Sequence, residues 1–381
     1  MHRADNLWEP MLSDENLDGA LRDVNDNHHW RTHHRPNQCT AWVEEHAQER
    51  RADLRQIIES GFIPQPPKVT QRYDPNAQKW RTVSEPIQWP DQYVHHALIR
   101  VLQPVMMRGM DKYCAGSIKG RGTHYGKEAI ERWMRQDPKG TKYCMTMDIR
   151  HFYQSLQPEI VMDRMRQLVK DAKILDLIER VTQDGILIGA YTSQWFANTT
   201  LQPLDHLIRE GDHGVAHYLR YMDNFTIFGP NKRKLKRLRV VIEKWLNAHG
   251  LQLKGDWQIF PTAKRKPDAV GYRYGRGYTI PRKHTLLRIK RAVARYRKRR
   301  GQRKRILAGT AAGLISKLGI LRHCNNVQLY RRIYRGERLL RQLKNIVREH
   351  ARKETFTTWS MYMAQRMKLR SSKPKAQHIP I

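Results

Sequence analysis

Short runs of alternating apolar and polar residues predict where this chain forms strands. The stretch Leu219–Phe228 has two apolar runs on either side of Asp223 and Asn224, which is typical of a β-hairpin with polar residues at its tip. A second strand-like run, Tyr143–Ile149, carries Asp148 near its end. Strand ends that are distant in sequence can meet across a sheet. The pattern therefore predicts a sheet that brings Asp148 close to Asp223.

Segments with apolar residues at helical spacing separate these strands. They predict a helix over Pro158–Asp171, helical structure after Gly189, and a helix over Lys234–Gly250 before a final strand. This alternation is typical of a split βαββαβ unit, an antiparallel sheet with helices on one face. Residues 1–60 are predicted to be mainly helical, with apolar positions at helical spacing over Val43–Ile58. The predicted fold class is α+β.

The composition indicates a folded protein with a polyanionic partner. The chain has 381 residues, of which 39% are hydrophobic, so it is long enough for two or three subdomains around a substantial core. Its formal net charge is +35. Because no stretch is long and apolar enough to span a membrane, we expect a nucleic acid as partner and no membrane.

The cysteines argue against a zinc ribbon or a disulfide framework. There are four of them, and no Cys-x-x-Cys pair occurs. They suit a reducing compartment, and the amino-terminal residues lack the basic and then apolar pattern of a secretion signal. We therefore expect the protein to be cytoplasmic.

Positive charge is concentrated towards the carboxyl terminus. Between Asp268 and Glu337 there are 20 lysines and arginines and no acidic residue. The basic residues interleave with apolar ones, which predicts helices with one buried side and one cationic side. We expect Arg295 and Arg299 to contact the backbone of a duplex, although such a run is more often a solvated face.

Asp148 and Asp223 together are suited to phosphoryl transfer. Each of two Mg²⁺ ions needs hard oxygen ligands and keeps room for phosphates and water, and two carboxylates at strand ends meet that requirement. Taken singly, either residue could equally be an ordinary turn residue.

Four motifs, in this order, resemble the palm of reverse transcriptases: DIRHFYQSL, GILIGAYTSQWFANTTLQPLDH, YMDNF and AVGYRY. Most reverse transcriptases carry Gln-Gly and Ser-Pro in the second motif, whereas this chain has Ile188-Gly189 and Ser193-Gln194. That form resembles the reverse transcriptases of diversity-generating retroelements, as does the opening NLWEP followed by ENLDGA. The resemblance implies a right-hand polymerase with fingers, palm and helical thumb.

The resemblance implies a catalytic centre at the two strand ends. Asp148, Asp223 and the backbone carbonyl of Ile149 are expected to bind two Mg²⁺ ions. Asn224 stands among the catalytic residues where most reverse transcriptases have a second aspartate, and an amide is an uncharged and weaker ligand. This departure is compatible with an active enzyme and also with a weakened one.

A pocket for the incoming nucleotide is implied as well. Arg81 is expected to fork onto the triphosphate, and Tyr153 is expected to pack against C2′ of the sugar and exclude a 2′-hydroxyl. Arg81 could instead be an ordinary surface arginine, and Tyr153 a core aromatic. The other nucleotide-binding residues implied by the resemblance are Ile188, Gly189, Ser193 and Gln194. Ile188 could instead be a buried strand residue that does not contact the nucleotide.

Two further segments are expected to hold primer and template. Lys119 and Arg121 lie among three glycines before an amphipathic helix, where the backbone can approach phosphates closely. Gly271 and Tyr272 resemble the primer grip, a tight hairpin that holds the 3′ end of the primer. A plain loop and a simple hairpin are the competing interpretations.

The predicted organisation has five segments. They are an N-terminal helical extension (1–60), fingers (61–141), a palm with the catalytic hairpin and primer grip (142–280), a basic helical thumb (281–365) and a disordered tail (366–381).

The function implied by the resemblance is RNA-directed DNA polymerase activity that copies a template RNA into cDNA with errors at adenines. The expected partners are template RNA, the cDNA primer and product duplex, dNTPs and a small basic helical accessory protein. Two alternatives stay open. One is another bacterial reverse transcriptase, such as a phage-defence enzyme, and the other is a catalytically weakened RNA-binding protein, for which Asn224 is the reason.

Overall fold

The computed structural model describes residues 2–31, 37–74, 79–325, 327–335 and 337–350. The chain divides into two compact units between Val270 and Gly271. The predicted tail 366–381 and the end of the predicted thumb, 351–365, lie outside the described residues. Across the described ranges, no helix combines the length and the apolar character needed to cross a membrane.

Helices make up most of the first unit. In chain order they are α1 (Trp8–Leu12), α2 (Asp14–Arg31), α3 (Gln38–Glu45), α4 (Ala47–Glu59), α5 (Tyr93–Met107), α6 (Thr123–Gln136), α7 (Phe152–Ser155), α8 (Pro158–Leu168), α9 (Ala172–Thr182), α10 (Tyr191–Thr200), α11 (Gln202–Glu210) and α12 (Lys232–Ala248). A π-helical turn, Gln88–Gln92, precedes α5. Helix α5 is central because nearly all its side chains from Tyr93 to Leu102 are buried and it packs against α2 and α10.

The first unit contains two antiparallel sheets. One is a ribbon of β1 (Lys68–Asp74) and β2 (Lys79–Glu85). The other contains β3 (Tyr143–Asp148), β4 (His217–Tyr221), β5 (Asn224–Gly229) and β6 (Gln258–Pro261), in the order β4-β5-β3-β6. A two-residue strand, β7 (Asp268–Ala269), follows. The order and the helices between the strands confirm the predicted α+β class and split βαββαβ sheet.

The two faces of the four-stranded sheet have different surroundings. Met145 and Met147 of β3 lie in one large core together with Phe225 of β5 and the leucines of α12. Side chains alternate along a strand, so Asp148 projects to the opposite face. Its partner in register on β5 is Asn224, which projects to that face as well. The large core that includes α12 thus lies on one face of the sheet, and the acidic strand end projects from the other.

Capping residues explain where two helices differ from their predicted bounds. The side chain of Asn231 accepts hydrogen bonds from the backbone N–H groups of Arg233 (2.8 Å) and Lys234 (3.2 Å), so α12 begins earlier than the hydrophobic pattern indicates. Helix α8 ends at Leu168 because Asp171 caps the next helix instead, with its carboxylate accepting from the N–H of Lys173 at 3.1 Å.

The amino-terminal helices are tied to the connection between α8 and α9. The second carboxylate oxygen of Asp171 accepts hydrogen bonds from the N–H groups of Leu7 and Trp8, both at 2.9 Å. The N–H of Ala4 donates to the carbonyl of Leu168 at 2.8 Å. One aspartate therefore satisfies the free N–H groups of two helix starts.

The second unit has its own small core. Its elements are β8 (Tyr272–Gly275), β9 (Tyr278–Pro281), α13 (Lys283–Gly301), α14 (Ala308–Gly319), a 3₁₀ turn (Ile320–His323) and α15 (Val327–Tyr334), with helical backbone over 338–350. Ile289, Val293 and Tyr296 of α13 are buried, whereas Arg295 and Arg299 are exposed. This is the predicted pattern of one buried and one cationic side. The finer division of the whole chain into fingers, palm and thumb stays a prediction.

A buried carboxyl group lies just before α5. Asp91 is 1% exposed, and one of its oxygens accepts a hydrogen bond from the N–H of Gln65 at 2.9 Å. Within the described part of the chain its other oxygen has no partner. Burial raises the pKa of Asp91 from 3.8 to about 6, because a carboxylate is poorly solvated there.

We predict that Asp91→Asn makes the folded state less sensitive to pH. The raised pKa means that the folded parent holds the proton more tightly than the unfolded chain, so its stability falls as pH rises from about 4 to about 7. Asparagine keeps the acceptor and cannot ionise. In urea unfolding, the difference in unfolding free energy between the variant and the parent should therefore change by up to about 3 kcal/mol in favour of the variant as pH rises over this range. Parallel pH profiles would contradict the prediction, and Asp184→Asn on an exposed turn is the control.

Candidate active site

The hairpin between β4 and β5 places the two candidate carboxylates together. Its turn consists of Met222 and Asp223, since Tyr221 and Asn224 already pair across the strands. The turn is therefore one residue earlier than the sequence predicts, and Asn224 is the first residue of β5. Asp148 ends β3 directly opposite Asn224. The register brings Asp148, Asp223 and Asn224 to one sheet edge.

Backbone hydrogen bonds hold this edge in place. The N–H of Ile149 donates to the carbonyl of Asp223 at 3.2 Å, and the N–H of Lys254 donates to the carbonyl of Asp148 at 2.9 Å. The side-chain amide of Asn224 donates to Oδ1 of Asp223 at 2.8 Å. Asn224 thus orients the neighbouring carboxylate. An ionised aspartate at this position could not donate such a hydrogen bond, because a carboxylate only accepts.

The electrostatic surroundings of Asp223 combine burial with nearby positive charge. Burial raises the pKa of Asp223, while the hydrogen bond from Asn224 and the charges of Arg81 and Lys254 act to lower it. The pKa of Lys254 is itself raised, first by its hydrogen bond to Asp256 and also by Asp148 and Asp223. The site therefore holds its carboxylates partly desolvated, with cationic side chains close by.

A buried ion pair supports the hairpin from the helical side of the sheet. Arg220 of β4 and Asp205 of α11 are both fully buried, and Nη2 of Arg220 donates to Oδ2 of Asp205 at 2.6 Å. A second bond joins Nε to Oδ1 at 2.7 Å, so the pairing is bidentate. Nη1 of Arg220 also donates to the carbonyl of Met222 at 3.2 Å. The guanidinium is therefore bonded directly to the turn that carries Asp223.

Asn198 extends this network to two other segments. Its side-chain oxygen accepts from Nη1 of Arg220 at 2.8 Å, and its amide donates to the carbonyl of Gly116 at 2.8 Å. A Cβ on Gly116 would lie 2.7 Å from the backbone nitrogen of Met222, so only glycine fits there. Met222 itself has a φ of 56°, a left-handed conformation that is rare for such a residue. The turn is fixed by packing on both sides.

Gly189 lies against the ribbon strand that carries Arg81. Its φ is 121°, and a Cβ there would lie 2.7 Å from Cγ of Glu85 and 2.9 Å from the carbonyl oxygen of Ser84. Arg81 is exposed on β2 and projects to the same side as Glu85, two pairs of residues along the strand. The predicted nucleotide-binding glycine thus lies against the strand that carries the predicted arginine, and the charge of that arginine acts on Asp223.

The other residues of the second motif occupy different environments. Ile188 is half-buried in a turn rather than in a strand, and Ser193 is buried in α10. Gln194 is half-buried and, with Gly189 and Tyr191, lines a cavity of about 230 Å³. Ser193 is therefore placed to support the helix, whereas Ile188 and Gln194 keep accessible surface.

Tyr153 lies near Asp223. It packs against the core beside Phe152, with ring centroids 5.6 Å apart, and burial raises its pKa, as do the negative charge of Asp223 and the neighbouring Tyr221. The position of Tyr153 is therefore compatible with both predictions, a core aromatic and a contact with the sugar.

The predicted contacts for primer and template lie in three places. Lys119 is exposed, whereas Nη1 of Arg121 donates to the carbonyl of Asp111 at 2.6 Å, which holds its own loop together. In the second unit, Gly271 has a φ of 91° and Tyr272 begins β8 with its side chain buried. Exposed Arg295 and Arg299 line a cavity of about 300 Å³ beside α14. Their contacts with nucleic acid stay predictions.

The oxygen donors at the strand ends fit a hard divalent cation. In the part of the chain that the structure describes, no three His, Cys, Asp or Glu side chains cluster as a complete metal cage. Mg²⁺ is commonly bound by only one or two carboxylates together with substrate phosphates and water. Asp148, Asp223 and the carbonyl of Ile149 match that donor set.

Sequence reasoning missed the network formed by Arg220, Asp205 and Asn198. The available signal was a single arginine inside the apolar run HYLRY of β4, which must be paired if that strand is buried. Its partners lie on other elements, so the sequence pattern alone does not identify them.

Comparison with known proteins gives one family match and several structural likenesses. The family model described as reverse transcriptase (RNA-dependent DNA polymerase) matches residues 66–257. No curated protein matches the chain.

The similar solved structures include telomerases from two Candida species. The telomerase from Candida albicans, in complex with a TWJ fragment of telomeric RNA, has 10% identity and a TM-score of 0.45, covering 76% of this chain and 61% of that one. Apo telomerase from Candida tropicalis has 11% identity and a TM-score of 0.40, covering 55% of this chain and 47% of that one. The chain thus spans about half to three fifths of these telomerase chains.

We predict that Arg220→Met lowers the free energy of unfolding by about 3–5 kcal/mol, because the carboxylate of Asp205 stays buried and keeps the hydroxyl of Tyr218 but loses the positive charge that balances it. The double variant Arg220→Met/Asp205→Asn should recover part of this loss. Urea unfolding of these two variants and of Asp205→Asn alone completes the double-mutant cycle, and strictly additive losses would contradict the coupling. Arg180→Met is the control, since its bond to Asp176 is exposed and should contribute less than about 1 kcal/mol.

Proposed function

The chain belongs to the reverse transcriptase (RNA-dependent DNA polymerase) family, and from this premise we propose that it copies a template RNA into error-prone cDNA for a diversity-generating retroelement. The observation that carries the proposal is the second motif. Ile188 and Gly189 form a turn, and Gly189 lies against the strand that bears Arg81. In the proposal, a nucleotide bound there meets an aliphatic side chain at position 188, where most reverse transcriptases have a glutamine.

The proposed reaction takes place at the β3 and β5 edge. The 3′-oxygen of the primer forms a bond to the α-phosphorus of the dNTP, and the bond to the pyrophosphate leaving group breaks. Reverse transcriptases generally use divalent metal ions. We assign Asp148, Asp223 and the carbonyl of Ile149 to hold two Mg²⁺ ions, which when bound supply charge stabilisation for the reacting oxygens.

Other side chains of this chain have positioning roles in the proposal. Arg81 forks onto the triphosphate, and its closeness to Asp223 supports that role. Tyr153 bounds the sugar pocket, which favours deoxynucleotides. Asn224 donates to Asp223 and so orients this carboxylate. Gly189 lets the backbone of its turn approach β2 closely.

Fidelity follows from Ile188. A glutamine at this position could hydrogen-bond to the nucleotide, whereas isoleucine can only pack against it. Losing a directed polar contact removes part of the penalty for a misaligned nucleotide, and about 1.4 kcal/mol between correct and incorrect transition states is a tenfold change in error rate. In the proposed setting the errors fall at template adenines, and a small basic helical protein assists.

A second candidate function rests on Asn224. An amide at this position contributes no negative charge for a metal ion, which favours a weakened polymerase that keeps the palm to bind RNA. Primer extension separates the two functions, because only the first forms cDNA.

We predict that Asp148→Ala or Asp223→Ala abolishes primer extension while the fold and RNA binding persist, since each removes an oxygen ligand. Extension on an RNA template with magnesium measures this, and circular dichroism checks the fold. Asn224→Asp is the matched variant, and its rate should equal or exceed that of the parent. An unchanged rate for Asp148→Ala would show that the assignment of the site is wrong.

We predict that Ile188→Gln lowers misincorporation opposite adenine by about tenfold relative to the parent. Sequencing of cDNA made by both enzymes on one adenine-rich template gives the error spectra. Equal spectra would remove Ile188 from the mechanism. A low adenine error rate in the parent would instead contradict the retroelement role while leaving the polymerase activity intact.

A further inference from the structure

Helix α12 has one buried side and one exposed side of a single charge sign. Leu235, Leu238, Ile242 and Leu246 are completely buried, and the helix packs against α11 and β6. The opposite side is exposed and carries five cations. These residues, named here the α12 basic face, are Lys232, Arg233, Lys236, Arg237 and Lys244.

No carboxylate neutralises the α12 basic face among the described residues. The acidic residue of the helix, Glu243, bonds to Arg239, and the nearby Asp212 bonds to Lys234. Neither Arg239 nor Lys234 belongs to the face. Four of the five cations therefore form an uncompensated cluster in the first six residues of the helix, and Lys244 lies about two turns further along.

This arrangement differs from that of other helices in the first unit. Arg50 of α4 pairs with Asp53, Arg166 of α8 pairs with Asp163, and Arg180 of α9 pairs with Asp176. The high net charge of the chain therefore does not by itself produce faces without acidic residues. Within the first unit the segregation on α12 is therefore a feature of that helix, and in the second unit α13 shows the same separation.

The α12 basic face lies on the side of the sheet away from the candidate active site. The buried leucines of α12 share a core with Met145 and Met147, whereas Asp148 projects to the opposite face of β3. The sheet and the body of α12 separate the cations from the carboxylates. A polyanion bound to this face is therefore not the strand that is being copied at that moment.

We propose that the α12 basic face binds the phosphate backbone of a folded part of the template RNA outside the active site. The proposal rests on the proposed function, in which the enzyme handles a long RNA. Backbone contacts position a nucleic acid without reading its sequence, and a row of exposed lysines and arginines provides such contacts. The face thus holds the RNA while another segment of it occupies the active site.

The composition of the face favours RNA over a protein or a membrane surface. Protein interfaces have an apolar core with few charges, and the exposed apolar residue on this side is Val240, which is 38% exposed. A helix that binds membranes presents its apolar side to the lipid, whereas here the apolar side is buried in the core. Charge complementarity therefore indicates a polyphosphate backbone.

The test compares two RNAs and three proteins. One RNA is a short primer–template, and the other carries the same template within a long RNA that contains hairpins. The proteins are the parent, the face variant Lys232→Gln/Arg233→Gln/Lys236→Gln/Arg237→Gln, and a control with the same charge change at dispersed exposed positions, Arg22→Gln/Arg108→Gln/Arg135→Gln/Lys139→Gln. Binding is measured over a range of salt concentrations, and extension is measured on both RNAs.

We expect the face variant to bind the long RNA at least about tenfold more weakly than the control does. Affinity falls as salt rises, and the plot of log affinity against log salt should become less steep by about 0.7 to 0.9 for each phosphate that the variant no longer neutralises. Affinity and extension on the short primer–template should match those of the control. The charge-conserving variant Arg233→Lys/Arg237→Lys should bind both RNAs as the parent does, because the proposed backbone contacts act through charge, which lysine keeps.

Three results would overturn the proposal. If the face variant bound both RNAs equally weakly, the cations would lie in the path of the copied strand. If the control lost as much affinity for the long RNA as the face variant, the effect would be due to net charge alone. Unchanged affinity for the long RNA would show that the α12 basic face does not bind RNA. Binding of polyglutamate by the parent and not by the variant would then identify the face as a site for an acidic protein, and no binding would identify it as a solvated face. A parent that extends no primer would contradict the proposed function, whereas the binding comparison would still test the face.

Discussion

The buried ion pair between Arg220 and Asp205 is the interaction on which the candidate site depends most. Two charges in a protein interior are costly to desolvate, and this cost is offset only when every hydrogen-bonding group is satisfied. Here the guanidinium bonds to Asp205, to Asn198 and to the carbonyl of Met222. The same group therefore joins α11, α10 and the turn that carries Asp223. Directed hydrogen bonds fix this geometry in a way that apolar packing alone would not.

The position of Asp223 follows from that support. Met222 adopts a left-handed conformation that is unfavourable for its residue type, and the surrounding bonds hold it there. Asp223 is consequently held partly buried, and burial raises its pKa. The nearby cations Arg81 and Lys254 offset part of that cost from elements far away in sequence. The site is thus built to hold negative charge that a bound cation would stabilise further.

Local patterns predicted much of the fold, because they depend on neighbouring residues. Alternation in β3 and in the β4–β5 hairpin gave the strands, and the order of elements gave the antiparallel sheet that brings Asp148 opposite Asn224. The turn was predicted one residue too late. Its type depends on Arg220 and Gly116, and the partners of these residues lie on other elements. Hydrogen bonds between residues on different elements produce no periodic pattern in the sequence, so the supporting network was not predicted.

Gly189 and Ile188 both have a predicted role at the nucleotide, but the fold constrains them differently. Gly189 is constrained by its conformation and by its close approach to Ser84 and Glu85, so even a methyl group does not fit, whatever the reaction. Ile188, one residue earlier, keeps accessible surface in the same turn. A position whose side chain is not needed for packing is free to vary, and beside a nucleotide it can alter selectivity without unfolding the chain. The motif therefore joins a residue required by the backbone to one that is available for specificity.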